Sequence, residues 1–198
     1  NMVGYIMKDI GSLYYNKMDL DKALDFLSRS NTILKEVGNK HGIGRSLNQM
    51  GDVHSLKGQY DKALEYYGNA LEMNNGDRRF IMSTYYRLGT IWFYKDNTSK
   101  ALDYFEKYLN IRNEILEESI ELSALTLISL SYKQIGKEFD IEEIDKLITE
   151  SDDISYSTHF LLYKLLNNSD HLIKAYDKVQ EKAKKLENEL KEKFFSYP

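Results

Sequence analysis

The chain contains no cysteine, so thiol catalysis, disulfides and cysteine-based metal sites are excluded, and histidine, aspartate and glutamate are the first groups to weigh for acid–base or metal chemistry. Its four histidines, His41, His54, His159 and His171, are scattered, and none makes a metal-spaced pair. The run Glu117–Glu118–Ser119–Ile120–Glu121 could be drawn as a carboxylate pair for acid–base work, but it reads more simply as a solvated helix turn. Asp140, Glu142, Glu143 and Asp145 read as the acidic start of a helix, where the helix dipole favours negative charge. No GxGxxG or Walker-type glycine loop is present. Catalysis, a metal and a cofactor are therefore not expected. What remains is recognition through charged and hydrogen-bonding side chains.

The elements that must position these residues repeat. A small residue, an aromatic or histidine three later and an alanine twelve later recur as Gly11–Tyr14–Ala23, Gly51–His54–Ala63 and Gly89–Trp92–Ala101. The glycines are 40 and 38 residues apart, a period that marks a stack of supersecondary units, each unable to bury its apolar face alone. Within each unit two helical stripes flank a polar turn, and the small residues allow the two helices to approach closely. Asp19 is placed to cap the second helix of the first unit. A degenerate fourth unit has Ser129, Tyr132 and Gly136 in register, with Ile141 in place of alanine. A looser fifth runs from Tyr156 to Leu166 and from His171 to about Phe195.

Composition agrees with a folded helical array. The chain of 198 residues is 42% hydrophobic and 29% charged, which supplies a core and argues against disorder. A net charge of −4, with Lys and Arg spread along the chain, argues against nucleic acid as a partner. No stretch reaches the ~18 uninterrupted apolar residues of a membrane span, so no membrane is expected. The only proline is Pro198, and the apolar end at Phe194–Phe195 reads as a cut, which makes the chain a fragment of a longer protein. The absence of cysteine suits a cytoplasmic location.

The last helical stretch carries Tyr176, Val179, Ala183, Leu186, Leu190 and Phe194 at 3–4 spacing. It also carries the i,i+4 pairs Glu181–Lys185, Glu187–Lys191 and Glu189–Lys193. It reads either as a capping helix with a solvated face or as a coiled-coil connector to a neighbouring domain or partner.

Leu47, Met50–Gly51, His54, Ala63, Tyr67 and Ala70 resemble the tetratricopeptide repeat, and the 38–40-residue period is similar to that of its longer-repeat branch. The stretch Gly44–Arg45–Ser46–Leu47–Asn48–Gln49–Met50–Gly51 is similar to that branch's Arg-x-x-Asn-Leu-Gly signature. The resemblance implies an all-α, right-handed superhelical solenoid of about five helix-turn-helix repeats, roughly 4–38, 43–75, 80–114, 119–150 and 155–195, ending in a long helix. It also implies a concave groove lined by the first helix of each repeat. Carried over by position, the groove residues are Tyr5, Lys8, Tyr15, Asn16, Arg45, Asn48, Asp52, Tyr86, Arg87 and Phe93. Lys8 and Arg87 match the carboxylate clamp of chaperone-binding members, whereas Ser12, Gln49 and Ser83 do not.

The implied function is a non-catalytic module that holds another protein or a peptide in its groove, within an intracellular signalling or regulatory protein. Two alternatives stand beside it. One is a short-peptide sensor of the quorum-sensing type. The other is self-assembly, with a homo-oligomer formed through the C-terminal helix.

Overall fold

The structure is a computed structural model that describes residues 2–73, 76–115, 120–186 and 188–196. It is all-α. The helices are α1 (Met2–Asn16), α2 (Leu20–Glu36), α3 (Lys40–Leu56), α4 (Tyr60–Glu72), α5 (Arg78–Tyr94), α6 (Thr98–Glu114), α7 (Leu122–Gln134), α8 (Ile141–Glu150), α9 (Tyr156–Leu166), α10 (Ser169–Lys184) and α11 (Asn188–Ser196). Among the described residues no helix is long and apolar enough to cross a membrane. Glu117, Glu118, Ser119 and Glu187 lie outside the described residues, as do the side chains of Glu189 and Lys193.

The repeating small residues do the packing work the period assigns them. A Cβ built on Gly51 would sit 2.4 Å from the Tyr67 ring, one on Gly89 would sit 2.6 Å from Phe105, and one on Gly11 would sit 2.8 Å from Leu27. In each hairpin the side chain sixteen positions on therefore lies flat against bare backbone. The aromatic slot pairs across the same hairpin: Tyr14 stacks on Phe26 at 5.4 Å, and His54 on Tyr66 at 5.0 Å.

Turn chemistry repeats with the same register. The residue seven after each small position has positive φ: Met18 (61°), Gly58 (68°), Asp96 (55°) and Gly136 (71°). The next residue's N–H closes the turn, as in Asp19 to the Tyr14 carbonyl and Gln59 to the His54 carbonyl, both 2.9 Å. Side-chain oxygens of Asp19, Asn39, Asp77 and Asn97 then cap the helices that follow. The core is a chain of linked clusters rather than a single centre. Leu27 with Val53 joins α2 to α3, Leu34, Ile43, Ala70 and Phe80 run from α2 through to α5, Tyr67 with Ile91 joins α4 to α5, and a larger cluster runs from Phe93 to Leu165.

Two features of the C-terminal third depart from the sequence expectation. The stretch from His171 onward is not one long helix, because α10 ends at a cap on Lys185 and α11 starts afresh at Asn188. The break lets Ala183 and Phe194 converge on Met18 in one buried cluster with Leu56, Val179 and Leu186. An unbroken helix would carry Phe194 past that contact, so tertiary packing overrides the local period. The second departure concerns the scattered histidines. His159 on α9 and His171 on α10 meet with their Nδ1 atoms 3.0 Å apart, both buried.

Candidate functional site

Helices α1, α3 and α5 are the first members of three successive hairpins, and they bring two adjoining cavities onto one wall. The first, about 240 Å³, is lined by Lys8, Arg45, Asn48, Gln49, Arg79, Phe80, Ser83 and Arg87. The second, about 400 Å³, is walled by the tyrosines Tyr15, Tyr67, Tyr86 and Tyr108 with Leu56, Met82 and Ile91, and by Asp52 and Glu121. Ser83 and Arg87 belong to both.

The basic cavity holds two amide side chains whose orientation is fixed by their neighbours. Asn48 Nδ2 donates to Thr84 Oγ1 at 2.8 Å, and the Thr84 hydroxyl donates onward to the Phe80 carbonyl at 2.9 Å. Gln49 Nε2 donates to Ser12 Oγ at 2.6 Å, and that hydroxyl donates to the Lys8 carbonyl. In both chains the hydroxyl hydrogen is already committed, so the amide must present its nitrogen to the hydroxyl and its oxygen elsewhere. The oxygens, Asn48 Oδ1 and Gln49 Oε1, are buried without a protein partner. A buried acceptor left in this way costs about 1–3 kcal/mol.

Charge around these oxygens is positive and held in place. Arg45 Nε donates to His41 Nε2 at 3.0 Å, and Lys8 pairs with Asp9 at 2.7 Å. Arg87 forks onto Asp52 through Nε (2.8 Å) and Nη2 (3.3 Å), and its Nη1 donates to the Ser83 carbonyl. Burial opposes the Arg87 charge, but the Asp52 carboxylate more than offsets this and raises its pKa. The Tyr67 hydroxyl donates to the same carboxylate at 2.8 Å. Burial first, and Asp52 second, raise the Tyr15 and Tyr67 hydroxyls, so both remain neutral donors. No histidine lines either cavity, and among the described residues no group of three His, Asp or Glu is placed to hold a metal.

The ten groove residues read from the sequence divide three ways. Lys8, Arg45, Asn48 and Arg87 line the basic cavity, and Tyr15, Asp52, Tyr86 and again Arg87 line the aromatic one. Tyr5, Asn16 and Phe93 line neither. The Tyr5 hydroxyl accepts from Asn39 at 3.1 Å and its ring packs between repeats, while Asn16 is exposed at the end of α1. Phe93 is 8% exposed in the core, because α7 packs across that end of α5. Asn48 is only 5% exposed, so it supports the fold as well as facing the cavity. Sequence reasoning missed Arg79, Met82, Tyr108 and Glu121. Of these only Arg79, beside Arg78 after a polar turn, carried a local signal.

Residues 4–75 match the sequence profile of the tetratricopeptide repeat. Over residues 4–75 the chain carries tetratricopeptide repeats. Solved structures place the whole fold in the same company. BtubC from P. vanneervenii superposes with a TM-score of 0.60 at 20% identity, over 74% of this chain and 61% of that one. A protein of nearly identical TPR-like repeats from Podosopora anserina gives 0.57 at 12% identity, over 90% and 92%. PilF of Pseudomonas aeruginosa gives 0.54 at 14% identity, over 88% and 66%. The chain thus spans less than two thirds of BtubC and of PilF, and at these identities the likeness is one of fold. No curated protein matches the sequence. Tetratricopeptide repeats generally serve as scaffolds for protein–protein interaction.

Proposed function

We propose that this tetratricopeptide array is a non-catalytic module that holds an extended peptide segment of another protein against α1, α3 and α5. The carrying observation is the basic cavity itself, with Lys8, Arg45, Arg79 and Arg87 around the amide residues Asn48 and Gln49. An acidic side chain of the same peptide suits the potential set by Lys8, Arg45, Arg79 and Arg87. An apolar or aromatic residue further along fills the space among Tyr15, Met82, Tyr86 and Ile91. A short free peptide is the second reading, favoured by the modest size of the aromatic cavity.

The test is selection of displayed random peptides on the immobilised protein, followed by affinity measurement on wild type, Arg45→Ala and Gln49→Leu. Arg45 is exposed, so its removal leaves the fold intact. Acidic peptides whose affinity falls about tenfold in each variant support the proposal. Selection of no peptide, or of peptides indifferent to both changes, overturns it.

A further inference from the structure

The C-terminal helices close back on the first repeat, and their attachment passes through the two buried histidines. Helix α10 packs on α9 and on α11. Leu172, Ile173 and Tyr176 on its outer face are exposed. Beyond that hairpin, α10 and α11 are held by the cluster of Ala183, Val179, Leu186 and Phe194 around Met18 and Leu56. Leu56 is also part of the aromatic cavity's wall. Tyr156, the first residue of α9, stands edge-on to Phe194 at 6.4 Å, and Lys182 lies over both rings. Tyr156 is among the groups that raise the Tyr15 hydroxyl, after burial and Asp52.

Met18 shows that this closure has a cost elsewhere. The equivalent turn position is glycine at Gly58 and Gly136 and aspartate at Asp96, whereas Met18 adopts φ of 61° with a long apolar side chain and is 3% exposed. The left-handed backbone is unfavourable for a non-glycine residue. The return is a side chain that reaches Ala183 and Phe194, which glycine lacks.

The histidine contact tolerates one proton but not two. Nδ1 to Nδ1 at 3.0 Å requires one imidazole to donate and the other to accept. A first added proton preserves an N–H···N bond; a second leaves two cations in contact with no acceptor between them. His171 stands in the first turn of α10, where the helix dipole also opposes positive charge. Burial lowers the pKa of both rings; Lys174 and Lys178 add to this for His159, and Lys174 for His171. Asp153 pulls His159 the other way, as Asp145 of α8 and Asp170 pull His171. Asp153 is itself engaged by Lys178, and Asp152 and Asp177 border the same cavity. From α7, Lys133 reaches the Lys164 and Leu165 carbonyls at the far end of α9 rather than the imidazoles.

We propose that the His159–His171 pair makes the C-terminal closure acid-labile, so that double protonation parts α9 from α10 and releases α10–α11 from Met18 and Leu56. Release uncovers the Leu56 side of the aromatic cavity at low pH and restores the cover near neutrality. The device stands independently of what the groove binds.

The absence of cysteine permits a direct distance measurement. Spin labels at Lys17→Cys and Lys191→Cys, both at exposed sites, report the separation of the α1–α2 turn and α11 by pulsed electron paramagnetic resonance. At pH 8 one short, narrow distance is expected; at pH 5 a long, broad population should grow several-fold. His159→Gln with His171→Gln keeps a donor and an acceptor but does not titrate, and should stay closed at both values. His41→Gln with His54→Gln should open as wild type does. Opening in the first pair of substitutions, or its loss in the second, overturns the proposal. Should the first variant fail to fold, imidazole ¹⁵N shifts of the wild type decide: both rings protonated with the distance unchanged overturns it equally.

Discussion

Met18 and Phe194, at opposite ends of the chain, are buried in one cluster, 3% and 8% exposed. An open solenoid has no reason to bring its first turn and its last helix together. Here the array curves far enough, and the C-terminal stretch breaks at the right place, for the two to touch. Met18→Gly removes the contact and relieves the left-handed backbone together, so global stability should change little. Limited proteolysis should instead cut within 185–196 much sooner than in wild type, and Phe194→Ala should behave alike. Combining the two should add nothing further. Unchanged protection in Met18→Gly would make the contact incidental.

Glycines separate packing from backbone freedom. Gly51→Ala forces a methyl to within 2.4 Å of Tyr67 and should destabilise by about 1–3 kcal/mol in urea unfolding. Gly68, within α4, has open space around its Cβ position. Gly68→Ala should therefore stabilise by roughly 0.5–1 kcal/mol through helix propensity. The same sign for both would sink this account of the hairpin contact.

The Arg87–Asp52 fork ties α5 to α3 beneath the proposed site. Arg87→Leu leaves the Asp52 carboxylate with the Tyr67 hydroxyl as its remaining bond in the set described above. The expected loss is about 1.5–3 kcal/mol, the range for hydrogen bonds to charged groups. Asp52→Asn in the Arg87→Leu background should recover part of it, because no unpaired charge then remains. A double-mutant cycle by chemical denaturation measures the coupling.

Stability should fall on the acid side. The pKa values of His54, His159 and His171 are all lowered from 6.5 in the folded chain, burial being the largest cause in each. The unfolded chain therefore takes up protons first. The stabilisation from these groups is present in full above about pH 6.5–7, and it is lost as pH falls through that value towards the folded pKa values. The urea midpoint should be level from pH 8 to 7 and decline towards pH 5. His54, whose Nδ1 lies 2.6 Å from Gln59 Oε1, should account for part of the slope, so His54→Gln should flatten it.

The hairpins were legible from the sequence because they depend on neighbours close in the chain. The period of 38–40 residues located Gly11, Gly51 and Gly89 where paired helices approach closely, a contact that Leu27, Tyr67 and Phe105 fill, and Asp19 announced its cap. The resemblance to the tetratricopeptide repeat named Lys8, Arg45, Asn48 and Arg87 as groove residues, and all four line the basic cavity. It misjudged Phe93, because α7 covers that end of α5, and no residue near Phe93 says so. Nor did it disclose that the Asn48 and Gln49 oxygens are buried without a partner, which depends on hydroxyls from α5 and α1 holding the amide nitrogens. The meeting of His159 with His171, the break after α10 and the reach of Phe194 to Met18 were decided by the tertiary structure alone. Each repeat adds a small rotation that no single motif records, and the sum of those rotations determines whether the two ends of the array can touch.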